Sequence, residues 1–372
     1  MAYKKTKEVD IGIQSNYFDV SENKQMIATT PFHSGFQKEK IEKYANLSIF
    51  NLKGTVTKKI RLYAETACVA VTEDGKYVAT QRAGRDDSHS VTVIYDKTGK
   101  KVYEREGYPP VGKLFTGGAK VGEDQVYGLY RSAVFSKDNQ YLMVSSMDGD
   151  VYCLDWRKDE IIWTNNVRNQ VRTSEYSKDG FLIYLSSGDG YLYALSAGDG
   201  SIVWKNYIDS WATCFTVGEK YLALSTKIAC HSLRLLDAKT GKQYWSYDTP
   251  GRGEAILSPD EKMVFYCNDT ASAFNFATSV VFDIKTGKVL YSVGDGAQMG
   301  AWSGNGKYLI VKSNMELYVC KASSGEILLK KQCSDCFDCG SRAHAVSNDG
   351  KYIAAGFNLE RGIGKIVFYK KK

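Results

Sequence analysis

The chain has 372 residues, 43% hydrophobic and 24% charged, a globular balance with room for a sizeable core. Its 49 basic and 42 acidic residues leave a net charge of +7, too mild at this length to argue for nucleic acid. No apolar run approaches the roughly 20 residues that cross a bilayer as a helix, and five prolines argue against long disordered linkers.

The opening, MAYKKTKEVDIGIQ, has no apolar segment of the kind that starts a secretory signal. Nine cysteines without an export signal lead us to expect reduced thiols in the cytoplasm. The basic ends, YKKTK and YKKK, read as solvated termini. From about Ser15 the chain repeats. A turn recurs as SENKQMIAT at Ser21, TEDGKYVAT at Thr72, SKDNQYLMV at Ser136, SKDGFLIYL at Ser177, VGEKYLALS at Val217, SPDEKMVFY at Ser258, SGNGKYLIV at Ser303 and SNDGKYIAA at Ser347. The eight copies are separated by 51, 64, 41, 40, 41, 45 and 44 residues.

Each copy leads into an apolar strand, a second turn, a strand ending near Asp, a Gly turn and a strand that often carries Trp. Trp163, Trp204 and Trp245 are spaced by 41 residues. Strand-type alternation and Asp/Asn/Gly turns run throughout, with no competing helical period. Four short strands per repeat of 40 to 50 residues is the β-propeller signature, since stacking blades about an axis covers both faces of every sheet. We therefore expect an all-β single domain spanning residues 1–372, an eight-bladed propeller of four-stranded antiparallel blades, with seven the alternative count. The last repeat lacks a fourth strand, and the spare N-terminal stretch KKTKEVDIG is expected to complete it, leaving no open joint in the ring.

The stretches YLYALSAGDGSIVWK and LRLLDAKTGKQYWS resemble the repeats of PQQ-type, quinoprotein-dehydrogenase-like propellers. WD-repeat propellers are the nearest alternative, but their Gly-His and Trp-Asp signatures are missing. The resemblance implies the eight-bladed fold and leaves function open. A quinone enzyme of that family would need two adjacent cysteines, calcium-binding Glu and Asn, and an Asp base. No adjacent cysteines occur, so no PQQ is expected. The GDG triplets at Gly188, Gly198 and Gly294 fall at hairpin positions and read as tight turns. Phosphate-loop, nucleophile-elbow and zinc-protease motifs do not occur.

Two groups of residues are candidates for function. The long insertions, Pro31 to Asn46 and Gly107 to Tyr130, fall on the propeller face that also holds the entries to the inner strands, which marks a working face. Counting back from the turns places Arg131, Arg172, Trp211, Gln298 and Arg342 at those entries, with Arg252 beside them. Four guanidiniums about the channel mouth would favour a carboxylate, a phosphate or an acidic peptide. The alternative is that each pairs with a local acid such as Glu65, Glu175 or Glu254.

The second group is CSDCFDCG, residues 333–340, in the connection from blade seven to blade eight. Cys333, Cys336 and Cys339 could hold zinc, with His344 or His33 as fourth ligand. An iron–sulfur cluster, a CxxC redox pair and unliganded thiols are the other readings. The remaining cysteines fall in strands and read as small buried hydrophobes. The expected function is a non-enzymatic recognition or scaffold protein. It would bind a protein or peptide partner, acidic in character, on the loop-rich face. The alternatives are a hydrolase or lyase at the channel mouth, using Glu65, Glu175, Glu254 or His344, or a thiol or iron–sulfur redox protein. Nucleic-acid binding would require a continuous Lys/Arg stripe, which the modest net charge weighs against.

Overall fold

The computed structural model describes residues 3–13, 15–21, 26–31, 44–63, 66–83, 90–106, 132–145, 149–209, 212–226, 233–248, 253–268, 279–293, 299–312, 316–332, 336–338, 344–359 and 363–372. They form eight antiparallel blades, seven of them four-stranded meanders with strands in chain order. Blade four is representative: Val171–Tyr176, Leu182–Ser187, Tyr191–Ser196 and Ile202–Tyr207. Its second and third strands are buried almost throughout, while its outermost strand is exposed at alternate positions. The middle strands have blades packed on both faces, so they read as apolar runs; the outermost strand reaches the rim.

One apolar cluster fills each junction between neighbouring blades, eight in all, so the core is a closed ring of interfaces. Between blades four and five, for example, Tyr184, Leu192, Ile208, Phe215 and Leu224 interdigitate. The eighth blade is assembled from both chain ends. Its inner strands His344–Val346 and Tyr352–Leu359 lead into Ile363–Lys371, and the N-terminal strand Tyr3–Ile13 pairs antiparallel with that last strand, from Tyr3 opposite Lys371 to Ile13 opposite Ile363. The expected closure by the N-terminus is therefore present, and the blade count is eight rather than seven.

The recurring Ser turn has a specific chemistry. In blade three, the Ser136 hydroxyl accepts the Tyr141 N–H at 2.9 Å and donates to Asp138 at 2.6 Å, and Asp138 also accepts the Gln140 N–H at 3.0 Å. The same bonds recur from Ser258 and Ser347, and from Ser303 with Asn305 replacing Asp. An Asx or Ser side chain satisfies turn N–H groups that no strand partner can reach. The fourth residue of the turn sits at positive φ, where blade six places Glu261 at 51°. Blade five lacks the Ser and Asp of this turn. There the Glu261 carboxylate crosses from blade six and accepts the N–H groups of Glu219, Lys220 and Tyr221 at 2.5, 3.1 and 3.1 Å.

The 41-residue tryptophan spacing also has a structural cause. A Trp on the outermost strand of one blade lies against the Gly turn of the next: Trp163 on Gly200, Trp204 on Gly241 and Trp245 on Gly287. Gly200 has φ of 73°, and a Cβ there would stand 2.4 Å from the Trp163 ring. Trp163 Nε1–H donates to the Ala197 carbonyl at 2.9 Å and Trp245 Nε1–H to Ile284 at 2.7 Å. The repeated Gly and Trp are thus two halves of one contact between blades.

Candidate binding surface at the channel and loop face

The two faces of the disc differ in how the strands connect. On one, the first and second strands of a blade are joined by three to six residues, and the third and fourth by four or five. On the other, connections range from one residue, between blades eight and one, to 26, between blades two and three. The inner strands enclose a central channel of about 1180 Å³ that runs between these faces.

Most polar groups described on the channel wall join one blade to the next. The Asp19 carboxylate accepts the Val20 N–H at 2.8 Å and, across the junction, the Val71 N–H at 2.6 Å. The Ser132 and Ser174 hydroxyls meet at 2.5 Å, and Thr216 Oγ1–H donates to the Ala255 carbonyl at 2.8 Å. Trp302 Nε1–H donates to Ile256 at 3.0 Å, and His344 Nε2 lies 2.5 Å from the Gly300 carbonyl. At the short-turn mouth, Lys137 pairs with Glu73 at 3.1 Å. These contacts tie six of the eight junctions around the channel. They were not anticipated from the sequence, although Asp19, Glu175 and Thr216 occupy equivalent places in their strands and that recurrence is a usable signal.

The arginine positions are resolved in part. Arg172 lies on the inner strand of blade four as a bulge, since Val171 pairs with Ser187 and Thr173 with Ser186. A bulge re-aims a strand where it enters the sheet. It recurs at Asn16, Ala67 and Thr213. The residue equivalent to Arg172 in blade five is therefore Thr213, which corrects the assignment of Trp211. The turn of blade five is shorter, and counting back from it overshoots. Arg131, Trp211, Arg252, Gln298 and Arg342 lie outside the described residues, as does Glu65; of Arg172 only the backbone is described. Glu175 is half-buried and lines the channel.

The cysteine stretch is placed by its middle. Cys336–Asp338 forms a short strand that extends the inner edge of blade eight, with Cys336 opposite Leu359. His344 is opposite Ala355 on the same strand. Four strand residues, about 13 Å, separate the two register positions, too far for a Cys and a His to close on one ion at about 2.3 and 2.1 Å. His344 therefore does not serve as a co-ligand of Cys336. It belongs to the joint of blades seven and eight, where its Nδ1 is buried without a hydrogen-bond partner. Cys333, Cys339 and His33 lie outside the described residues. Among the described residues, no three His, Cys, Asp or Glu side chains cluster as metal ligands. Of the other six cysteines, Cys68, Cys153, Cys267 and Cys320 are buried as expected, Cys214 is half-buried and Cys230 lies outside the described residues; burial pushes the thiols of Cys153 and Cys320 up to about 12.

Comparison with known proteins agrees with this architecture. The C-terminal WD40 domain of Sif2 shares 12% identity and superposes with a TM-score of 0.67, covering 98% of this chain and 97% of that one. The computationally designed Ika8 protein, also 12% identical, superposes with a TM-score of 0.67 over 95% of this chain and 96% of its own. Both likenesses concern the fold alone. No curated protein matches the sequence, and no helix among the described residues is long and apolar enough to cross a membrane. Residues 128–206 and 209–335, more than half the chain, match the family described as outer membrane protein assembly factor BamB. The chain belongs to this family of PQQ-type β-propellers.

Proposed function

We propose that the protein is a non-catalytic scaffold that holds a protein or peptide partner on the face of variable connections, around the mouth of the central channel. The observation that carries this reading is the contrast between faces: connections of three to six residues on one and one to 26 on the other. Length variation confined to one side of a rigid ring is how a propeller presents a recognition surface. The inner-ring hydrogen bonds support the same reading, because they hold the inner strands of neighbouring blades in fixed relative positions. Arg131, Arg172, Arg252 and Arg342 would supply cationic contacts to an acidic partner at the entries to those strands. The family's description names an assembly factor, which is consistent with binding rather than turnover.

The test is to replace residues 107–131 by a short Gly/Ser linker and to change Arg172 to Ala in a separate chain. Cross-linking in the native host should lose its stoichiometric partner in both, with thermal unfolding unchanged. A partner retained in both variants would overturn the reading. So would a turnover activity abolished by Glu175→Gln.

A further inference from the structure

The net charge is not spread over the disc. Three segments, Tyr3–Asp10, Lys53–Arg61 and Lys370–Lys372, hold ten basic residues and two acidic ones, an excess of eight against +7 for the whole chain. The rest of the molecule is therefore close to neutral. The segments are distant in sequence, and ring closure brings them together. Lys4 lies directly opposite Lys370 in the pairing of the two chain ends. A Cβ on Gly54 would stand 3.2 Å from Lys7 Cδ. Lys59 Nζ–H donates to the Asp10 carbonyl at 3.2 Å.

Glu8 is held by Lys5 at 2.8 Å and by the buried Lys365 at 2.9 Å. Lys371 turns to the Tyr308 hydroxyl at 2.5 Å, and the other basic residues of the three segments are exposed. Like charges directly opposite across two strands work against pairing, yet the blade is closed through that pair. Net-charge arithmetic over the whole chain, which weighed against a basic stripe, averaged it away.

We propose that this closure seam docks an extended, Asp/Glu-rich segment of a partner protein. The site is distinct from the loop face and does not depend on that reading. The chemistry of the surface selects this occupant. Nine of the ten basic residues are Lys, compact charges suited to scattered carboxylates, whereas bidentate phosphate recognition favours Arg. None of the large hydrophobic residues exposed on the molecule lies in the three segments, so bases would find no platform for stacking. The seam runs over the outermost strands of blades eight and one, Tyr3–Ile13 and Val56–Tyr63, with the end of Ile363–Lys371 and the Lys53 turn beside them, an exposed edge that a flexible chain can follow.

Binding of a labelled oligoglutamate peptide, read by fluorescence anisotropy, tests this. At low salt the protein should bind, and affinity should fall steeply as salt rises from about 50 to about 200 mM. The triple change Lys53→Glu, Lys58→Glu and Lys59→Glu should weaken binding at least tenfold. Lys4→Glu with Lys7→Glu should do so independently, each variant being checked by thermal unfolding. Lys239→Glu with Lys285→Glu, on the short-turn face, should leave binding unchanged. Equal loss in that control would overturn the proposal, as would absence of binding at low salt. A DNA duplex that displaces the peptide at lower concentration would overturn the choice of partner. Edge lysines can also serve only to block self-association. In that case Lys53→Gln, Lys58→Gln and Lys59→Gln would give oligomers in size exclusion with peptide binding retained, and the proposal would fail.

Discussion

The two faces of this propeller obey different constraints. On the short-turn face, blade after blade uses the same atoms: a Ser or Thr hydroxyl, an Asp or Asn two residues on, and a fourth residue at positive φ. Each group satisfies a backbone N–H or carbonyl that the sheet leaves open, so exchange of residues is narrowly limited. On the opposite face, connections of one to 26 residues leave the same strands and return to them. The framework tolerates this because the junction clusters and the inner-ring bonds already fix the strand ends. Stability is thus concentrated on one side and adaptability on the other.

The sharpest way to break this contrast is to disturb the short-turn face where blades touch. Gly200→Val puts a branched side chain at φ 73° and a Cβ 2.4 Å from Trp163. It should cost about 4 kcal/mol in chemical denaturation, from backbone strain plus overpacking. Gly306→Ala is the matched comparison: φ is 66°, but nothing lies within 4 Å of the added Cβ. Its cost should be about 1 kcal/mol, the strain alone. Equal costs would mean that the Trp contact contributes nothing.

Glu261 is the next test, because it caps a turn in another blade. Glu261→Ala leaves three N–H groups of blade five without their carboxylate and should cost about 2 kcal/mol. Glu261→Gly removes the same cap but relieves the positive φ of 51°, so its cost should be smaller by about 1 kcal/mol. A Gly variant less stable than the Ala variant would refute the division into cap and strain.

These elements also show what could be read from the sequence. The Ser, Asp and Gly of each turn and the Trp every 41 residues were visible because each satisfies a local requirement that recurs with the blade. The N-terminal closing strand was visible because one repeat lacked its fourth strand. What failed was whatever depended on contact between distant segments. Trp211 was set two residues before the equivalent position, Thr213, because the three-residue turn of blade five, capped by Glu261 of blade six, offers no Ser or Thr from which to count. His344 was assigned to the cysteines because sequence distance hid the four-residue offset along Tyr352–Leu359. The basic seam was hidden because its three segments meet only when the ring closes.

A smaller effect separates blades with the same turn by their response to pH. The Ser347 hydroxyl, the Lys351 N–H and the Lys351 ammonium hold Asp349 down to about 2. Its folded value lies below the ordinary carboxylate value of about 3.9. Its contribution is therefore complete above that value and is lost as pH falls towards about 2. Asp349→Asn should flatten the pH dependence of the melting temperature in that window and leave it unchanged at neutral pH. Blade seven carries Asn305 at this position and its turn makes the same bonds, so the variant should fold. An unchanged slope below pH 4 would remove Asp349 from the acid response.

The smallest expected effect lies where the Trp contact departs from its own pattern. Trp163 and Trp245 donate to a carbonyl of the next blade. The matching acceptor for Trp204 is the Ala238 carbonyl, but the Tyr184 hydroxyl donates to it at 2.8 Å, and Trp204 Nε1 is buried without a partner. The two rings are neighbours, with centroids 5.8 Å apart. Removing the hydroxyl would ordinarily strand a buried carbonyl at a cost of about 1–3 kcal/mol. In Tyr184→Phe the Trp204 N–H can take over that carbonyl, so the cost should stay under about 1 kcal/mol. The compensation has a signature of its own. Trp204→Phe should cost more in the Tyr184→Phe background than in the parent chain, with a coupling of about 1 kcal/mol in a double-mutant cycle. Additive costs would show that Trp204 does not reach Ala238, and that the junction of blades four and five holds its tryptophan by packing alone.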